Sequence, residues 1–284
     1  MKNYHDYINR YAALLDEARA IPLGNTELPM RPNRGHSSCA LLFAPHPDDE
    51  SIIGGLALRL LKEAGCRIIN VAVTLGSLHT RRAARKAEIE NACRYLGFEL
   101  VHPLESGLEH INPAARGEGT GEWMDAVLRI RSLLRKYSPD LLIFPHANDW
   151  NSTHIGTHHL VMDALRESGL ASCRLVETEY WHPMEEPNIM VESSPEDVAE
   201  LVTAISFHLG EIERNPYHLA LPSWLHDNVR RGAEHLGGQG GEAPAFHFAT
   251  LYRIRQWRDC VLSRITPATP FISAQQNIQT LLSY

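Results

Sequence analysis

The sequence predicts an α/β protein with a mainly parallel sheet covered by helices on both faces. Two observations carry this. Apolar runs alternate with helical patterns between residues 39 and 180, the rhythm of strand–helix–strand units. Two polar clusters, "PHPDDE" and "PHANDWNSTH", each follow directly on such a run. Both therefore fall beyond the carboxyl ends of strands, where open α/β sheets bind ligands.

Taken in order, residues 1–18 show a weak amphipathic helical pattern, with Tyr4, Ile8, Ala12 and Leu15 at helical spacing. A Pro/Gly/Asn-containing stretch, Ile21–Gly35, links this helix to the main fold. Strands are expected at Cys39–Ala44, Arg67–Leu75, Glu99–Pro103, Asp140–Phe144 and Arg174–Tyr180. Helices fit at Ile52–Ala64, Ala83–Leu96, Trp123–Tyr137 and His154–Glu167. Ile89, Cys93 and Leu96 make the inward stripe of the second helix, and Val127, Ile130 and Leu134 that of the third. A further helix fits Pro195–Glu213, where "SPED" supplies a capping oxygen, then Pro, then acids at the positive helix end. The Gly-rich stretch Gly232–Pro244 reads as a mobile surface loop. Residues 1–36 are thus expected as a helical extension and linker, and 37–284 as a single domain with a C-terminal elaboration.

Bulk properties narrow the function classes. With 44 % hydrophobic and 21 % charged residues, the 284-residue chain has the composition of a soluble globular protein. Its formal net charge of -7 argues against a general nucleic-acid binder. No apolar run approaches the length of a membrane span, and the N-terminus has no basic segment followed by an apolar one. Cys39, Cys66, Cys93, Cys173 and Cys260 are widely spaced, as reduced thiols of a cytoplasmic protein would be.

In "APHPDDES", His46 and Asp49 offer an imidazole nitrogen and a carboxylate oxygen to a divalent metal. Pro45 and Pro47 disfavour a helix through the motif, so a turn would bring both donors to one centre. His154, which begins a helical pattern after the second cluster, is the best third ligand. Two His and one carboxylate leave a position for water, the usual arrangement of catalytic zinc. Asp48, beside a ligand but not duplicating it, can accept the proton of that water. A solvated surface turn would also explain adjacent acids, but not their place behind a core strand.

At these residues the chain resembles the LmbE-like, or PIG-L-like, zinc-dependent N-acetylglucosamine deacetylases. The resemblance rests on Pro45-His46-Pro47-Asp48-Asp49-Glu50, the following Gly54-Gly55 pair, and the Arg85-x-x-Glu88 helix ending in Leu96-Gly97. It covers most of Cys39–Tyr180. It implies a Rossmann-like deacetylase fold, with His46, Asp49 and His154 holding one Zn2+ per chain (other divalent ions also fitting) and Asp48 as general base. The family commonly has His-Pro-Asp-His where this chain has Asn151-Ser152-Thr153-His154. Neutral Asn cannot supply a proton as an imidazolium can. His158, one helical turn beyond His154, and His182, at a strand end, are the two replacement donors, and His182 is the better placed.

Further roles follow from position. Asp149 is expected to orient a ligand from behind. Arg85, oriented by Glu88, could reach a substrate hydroxyl or phosphate. Glu50 is expected to organise the turn or to bind substrate. Asn151 and Trp150 are expected near the reacting group and against a sugar face. Arg82 and Lys86 read as a solvated helix face, and Ser106–Gly121 as a flexible loop able to close over the substrate. The resemblance implies a small amino-sugar partner and release of acetate. A hydrolase of a non-sugar amide and a non-catalytic carbohydrate-binding protein remain as alternatives, and a homo-oligomer stays open.

Overall fold

The computed structural model describes residues 3–24, 26 and 38–282. Most of the expected linker Ile21–Gly35 lies outside these residues. In chain order the elements begin with α1 (Tyr4–Arg19), β1 (Cys39–Ala44), α2 (Asp49–Ile52), α3 (Leu56–Ala64), β2 (Arg67–Ala72) and α4 (Arg82–Leu96). Next come β3 (Glu99–Val101), α5 (Pro113–Glu118), α6 (Gly121–Tyr137), β4 (Leu141–Pro145), α7 (Ser152–Ser168) and β5 (Ser172–Thr178). The chain continues through β6 (Ile189–Ser193), α8 (Pro195–Ile205), α9 (Leu209–Arg214) and α10 (Tyr217–Gly237). It closes with β7 (Phe248–Arg258), β8 (Val261–Arg264) and β9 (Phe271–Ile272).

Among the described residues these strands form one nine-stranded sheet, ordered β3-β2-β1-β4-β5-β7-β6-β9, with β8 paired to β7. The first five strands are parallel, with Cys39 opposite Arg67, Ala40 opposite Leu141 and Leu141 opposite Arg174. β7 runs antiparallel to β5, β6 and β8. β6 and β9 pair in parallel again, so the sheet is mixed but mainly parallel as expected, and its antiparallel pairs all involve β7. An 11-residue strand that returns from the far side of α10 was not read from local pattern, because the two strands it lies between, β5 and β6, are distant in the chain.

β1 shows why the sheet is buried on both faces. Its Ala40, Leu42 and Ala44 side chains join the core with α3, α4, α8 and α10 residues, while Leu41 and Phe43 join that of α6 and α7. Strand order reverses between β1 and β4, so the carboxyl ends of these two neighbours flank a crevice.

Three local expectations are corrected. The helix expected from Ile52 breaks at Gly54-Gly55. Gly54 has φ +79°, and a Cβ there would stand 1.9 Å from Thr250 Oγ1 on β7, so only glycine permits the contact. The helix expected over Pro195–Glu213 is interrupted at Ser206–His208 and becomes α8 and α9, although its capping box at Ser194 and Asp197 forms as read. Gly232 lies inside α10 instead of a loop. A Cβ on it would stand 2.5 Å from Met190 Sδ, so this glycine serves close helix–sheet packing. α1 has no fully buried residue and meets α10 through the Tyr11 hydroxyl, 2.6 Å from Ser223 Oγ.

Candidate metal centre and active-site cleft

β1 is followed directly by Pro45, whose carbonyl accepts both the backbone N–H and the hydroxyl of Thr74, at 3.1 and 2.7 Å. The loop is thereby tied to the end of β2. His46 and Asp49 then close a turn on themselves. The His46 N–H donates to Asp49 Oδ2 at 2.8 Å, and the Asp49 N–H to the His46 carbonyl at 3.3 Å. From the other side of the crevice, the first turn of α7 delivers His154.

The three donor atoms form a nearly equilateral triangle. Asp49 Oδ2 lies 3.3 Å from His46 Nδ1 and 3.3 Å from His154 Nε2, and the two imidazole nitrogens are 3.3 Å apart. Donors ~2.0–2.1 Å from a tetrahedral ion stand ~3.3 Å from one another, so the residues fit a divalent ion without rearrangement. His154 Nδ1 faces Asp149 Oδ2 at 3.3 Å, and the ring edge packs on Tyr180. Asp149 Oδ1 accepts the Asn151 N–H at 2.8 Å.

Charge follows from this packing. Burial opposes ionisation of Asp49, but the His154 and His46 imidazoles outweigh it and hold the carboxyl below its usual range. Burial likewise works against His154⁺, yet Asp49 and Asp149 push its pKa up to about 10. The same two carboxylates would favour a divalent cation in the place of that proton. Protein purified without added metal is therefore expected to carry about one divalent ion per chain. Elemental analysis checks this, and unchanged occupancy after replacing His46, Asp49 and His154 together would refute it.

Asp48 is buried but makes no metal-triangle contact. Burial first, then the Asp49 carboxylate, push its carboxyl well up, against the pull of Arg85. Its backbone has φ +113° and ψ −31°, a strained conformation for a non-glycine residue, costing on the order of 1–3 kcal/mol. A cleft of about 920 Å³ opens over the centre and is lined by His46, Asp48, Asp49 and His154.

The other expected residues divide. Arg85 lines the cleft, but it donates to the Pro47 carbonyl at 3.0 Å and pairs with Glu211 of α9, not with Glu88. Glu88 instead takes Arg81. Trp150 stands on the rim, 75 % exposed, with its ring centroid 4.5 Å from that of His182. His182 lines the cleft, and its Nδ1 is buried without a hydrogen-bond partner among the described residues. Asn151 lines the cleft while its side-chain oxygen caps α7 on the Thr153 N–H.

Glu50 is corrected as a substrate-binding residue. It is absent from the cleft lining and wholly buried, bonded to His208, Ser51 and the Asp48 N–H. His158 is corrected as a proton donor. It faces the interior between α7 and the sheet, with Nδ1 3.0 Å from the Pro145 carbonyl and 3.4 Å from Glu177 Oε1. Arg82 does line the cleft, bonded to the Gly76 carbonyl and Glu109. The segment read as a flexible loop is a wall, with Leu108 and Ile111 buried and α5 inside it.

Sequence reading missed His146, Glu211, Arg214 and Tyr217. His146 stacks beneath His182, centroids 5.6 Å apart, and its place in "PHANDW" was an available signal. The other three line the cleft from the C-terminal third, where no local motif marks them.

His158 has a testable consequence for stability. Burial, partly opposed by Glu177, lowers its pKa from 6.5 to about 4. Below pH 6.5 the unfolded chain takes up a proton at this position that the folded protein refuses. The contribution is thus complete above pH 6.5 and is lost as pH falls toward 4, by about 3 kcal/mol. Urea titrations at several pH values are expected to show a shallower acid slope in His158→Gln than in the wild type. Parallel slopes would count against it.

A mixed α/β sheet flanked by helices, with a His/His/Asp triad at the carboxyl edge of its parallel half, supports the class of metal-dependent hydrolases. The PIG-L family model, GlcNAc-PI de-N-acetylase, matches residues 41–165, and over that span the chain is similar to this family. No curated protein matches the sequence. Similar solved structures include the conserved protein TT1542 from Thermus thermophilus, at 19 % identity and TM-score 0.58, covering 75 % of this chain and 92 % of that one. GalB, the 4-carboxy-2-hydroxymuconate hydratase from Pseudomonas putida, is similar at 16 % identity and TM-score 0.60, covering 82 % and 99 %. The N,N'-diacetylchitobiose deacetylase from Pyrococcus horikoshii follows at 18 % identity and TM-score 0.54, covering 89 % and 93 %. At these identities the likeness is one of fold, and a hydratase among them shows that this fold alone does not set the reaction. Among the described residues, no helix is long and apolar enough to cross a membrane.

Proposed function

We propose that the protein is a zinc-dependent deacetylase that removes the N-acetyl group from an N-acetylglucosamine-containing small molecule or glycoconjugate. The carrying observation is a buried carboxyl, Asp48, that stays outside the 3.3 Å donor triangle yet faces the same cleft. A purely structural metal site closes all its positions with protein ligands. Here His46, Asp49 and His154 would hold the ion with three donors, which would leave a position for water, and Asp48 would remain uncommitted.

Bound zinc would lower the pKa of water and polarise the amide carbonyl. The chain's own groups do the rest. Asp48 accepts a proton as water attacks the carbonyl carbon, and the C–N bond then breaks. The departing nitrogen takes a proton from Asp48 or from His182, whose free Nδ1 supports that role. Water is consumed, and acetate and a free amine are the products. That Arg85, Asn151 and the exposed Trp150 line the cleft supports their role in binding the sugar, whose apolar face the indole would cover. The cleft stands near the upper end of the 300–1,000 Å³ usual for small-molecule sites, which favours a substrate larger than one sugar ring. Five free thiols fit a reducing, cytoplasmic setting.

The test is acetate release from a panel of N-acetylglucosamine conjugates, including disaccharides and lipid- or nucleotide-linked sugars. At least one conjugate is expected to be turned over, with activity lost to chelation and restored by zinc. Turnover of a non-sugar amide alone would transfer the same residues to another amidohydrolase reaction. Tight sugar binding without hydrolysis under any metal condition would favour a binding protein.

A further inference from the structure

The loop that carries Asp48 is held from a part of the chain beyond residues 41–165. His208, in the turn between α8 and α9, places Nε2 2.7 Å from Glu50 Oε1. Glu50 Oε2 accepts the Asp48 N–H at 3.1 Å, and both His208 and Glu50 are 0 % exposed. Glu211, three residues on, holds Arg85, whose guanidinium also donates to the Pro47 carbonyl. One segment thus reaches the residue before Asp48 through Arg85, and the amide of Asp48 itself through Glu50. Between these anchors Asp48 keeps its φ of +113°, which a non-glycine residue holds only where its surroundings compel it.

We propose that His208 is a positioning residue for Asp48. By donating to Glu50 it keeps that carboxylate on the Asp48 N–H, and so keeps the left-handed backbone that presents the Asp48 carboxyl to the cleft. Without this donor, a fully buried carboxylate must turn to another partner, and the Asp48 amide is released. The ligand pair His46 and Asp49 closes its turn through its own two bonds. Placement of the base is therefore separable from hold on the metal. The proposal rests on Asp48 being the proton acceptor.

The experiment compares His208→Leu, which has no donor, with His208→Gln, whose amide can donate to Glu50. In His208→Leu, metal affinity and KM are expected to stay within about twofold, while kcat falls tenfold or more, toward the ~100-fold loss of a ~1 Å misplacement. His208→Gln is expected to recover most of that loss. Crystal structures supply a readout that needs no substrate: Asp48 moves to negative φ in His208→Leu and stays near +113° in the wild type and His208→Gln. Should wild type release no acetate, the deacetylase reading fails while the Asp48 backbone still judges the positioning role. If His208→Leu does not fold, the double variant Glu50→Leu/His208→Leu replaces both partners by apolar groups and removes the stranded charge. An unmoved Asp48 with unchanged kcat in the folded variant, or metal affinity falling together with kcat, would overturn the proposal.

Discussion

Asp48→Asn is expected to retain its metal and lose turnover by about 10²–10⁴-fold, the usual contribution of a positioned general base. The substitution changes little else. Asn has nearly the same volume, tolerates positive φ as Asp does, and keeps the backbone N–H that Glu50 accepts. None of the three triangle atoms belongs to Asp48, so His46, Asp49 and His154 keep their mutual 3.3 Å spacing. What disappears is the ability to take a proton from water. Metal analysis and kcat measured on the same preparation decide it: near-normal turnover at full occupancy would remove Asp48 from the role of base.

Arg231→Met is expected to cost about 3–5 kcal/mol, because it strands a buried carboxylate. Arg231 of α10 grips Glu179 with two bonds, at 2.7 and 3.0 Å, and Glu179 has no exposure of its own. The same carboxylate accepts the Met184 N–H, so it ties the chain after β5 into the loop that carries Trp181 and His182. In a chain of this size the loss corresponds to a drop of roughly 10 °C in Tm. KM is expected to rise, since Trp181 and His182 form one wall of the cleft. Adding Glu179→Leu, which removes the stranded charge, is expected to restore much of the Tm. A single variant as stable as wild type would show that the carboxylate has found water or another donor.

The strand–helix rhythm from β1 to β5 was legible because each strand buried on both faces is a short apolar run, and each crossover helix carries its own apolar stripe. Cys39–Ala44 is recovered residue for residue, and Ala83–Leu96 and Trp123–Tyr137 to within two residues at the start. The C-terminal half was not legible to the same degree. β7 finds its partners in β5 and β6 only after α8, α9 and α10 have intervened, and nothing local specifies such pairing. Gly232 misled for a related reason. Glycine marks a loop when its φ demands it, but here it marks the place where α10 lies against Met190 and Leu251.

The site divides along the same line. His46, Asp48, Asp49 and His154 could be singled out from the chain because their chemistry is concentrated at two strand ends, and strand ends of a parallel sheet converge on one edge. Asp149 was readable for the same reason. Distance along the chain hid the rest. Glu50 and His158 carry the residue types of a site, yet one turns inward to His208 and the other to Pro145 and Glu177, because side-chain direction is set by packing. Arg85 was found, but its partner was not: Glu88 is its helical neighbour, whereas Glu211 reaches it from another element. Short-range spacing determines which groups a loop can offer and which elements the chain can form. Only tertiary packing, in which residues as far apart as Glu50 and His208 share one buried volume, decides which of those groups face the cleft and what holds them there.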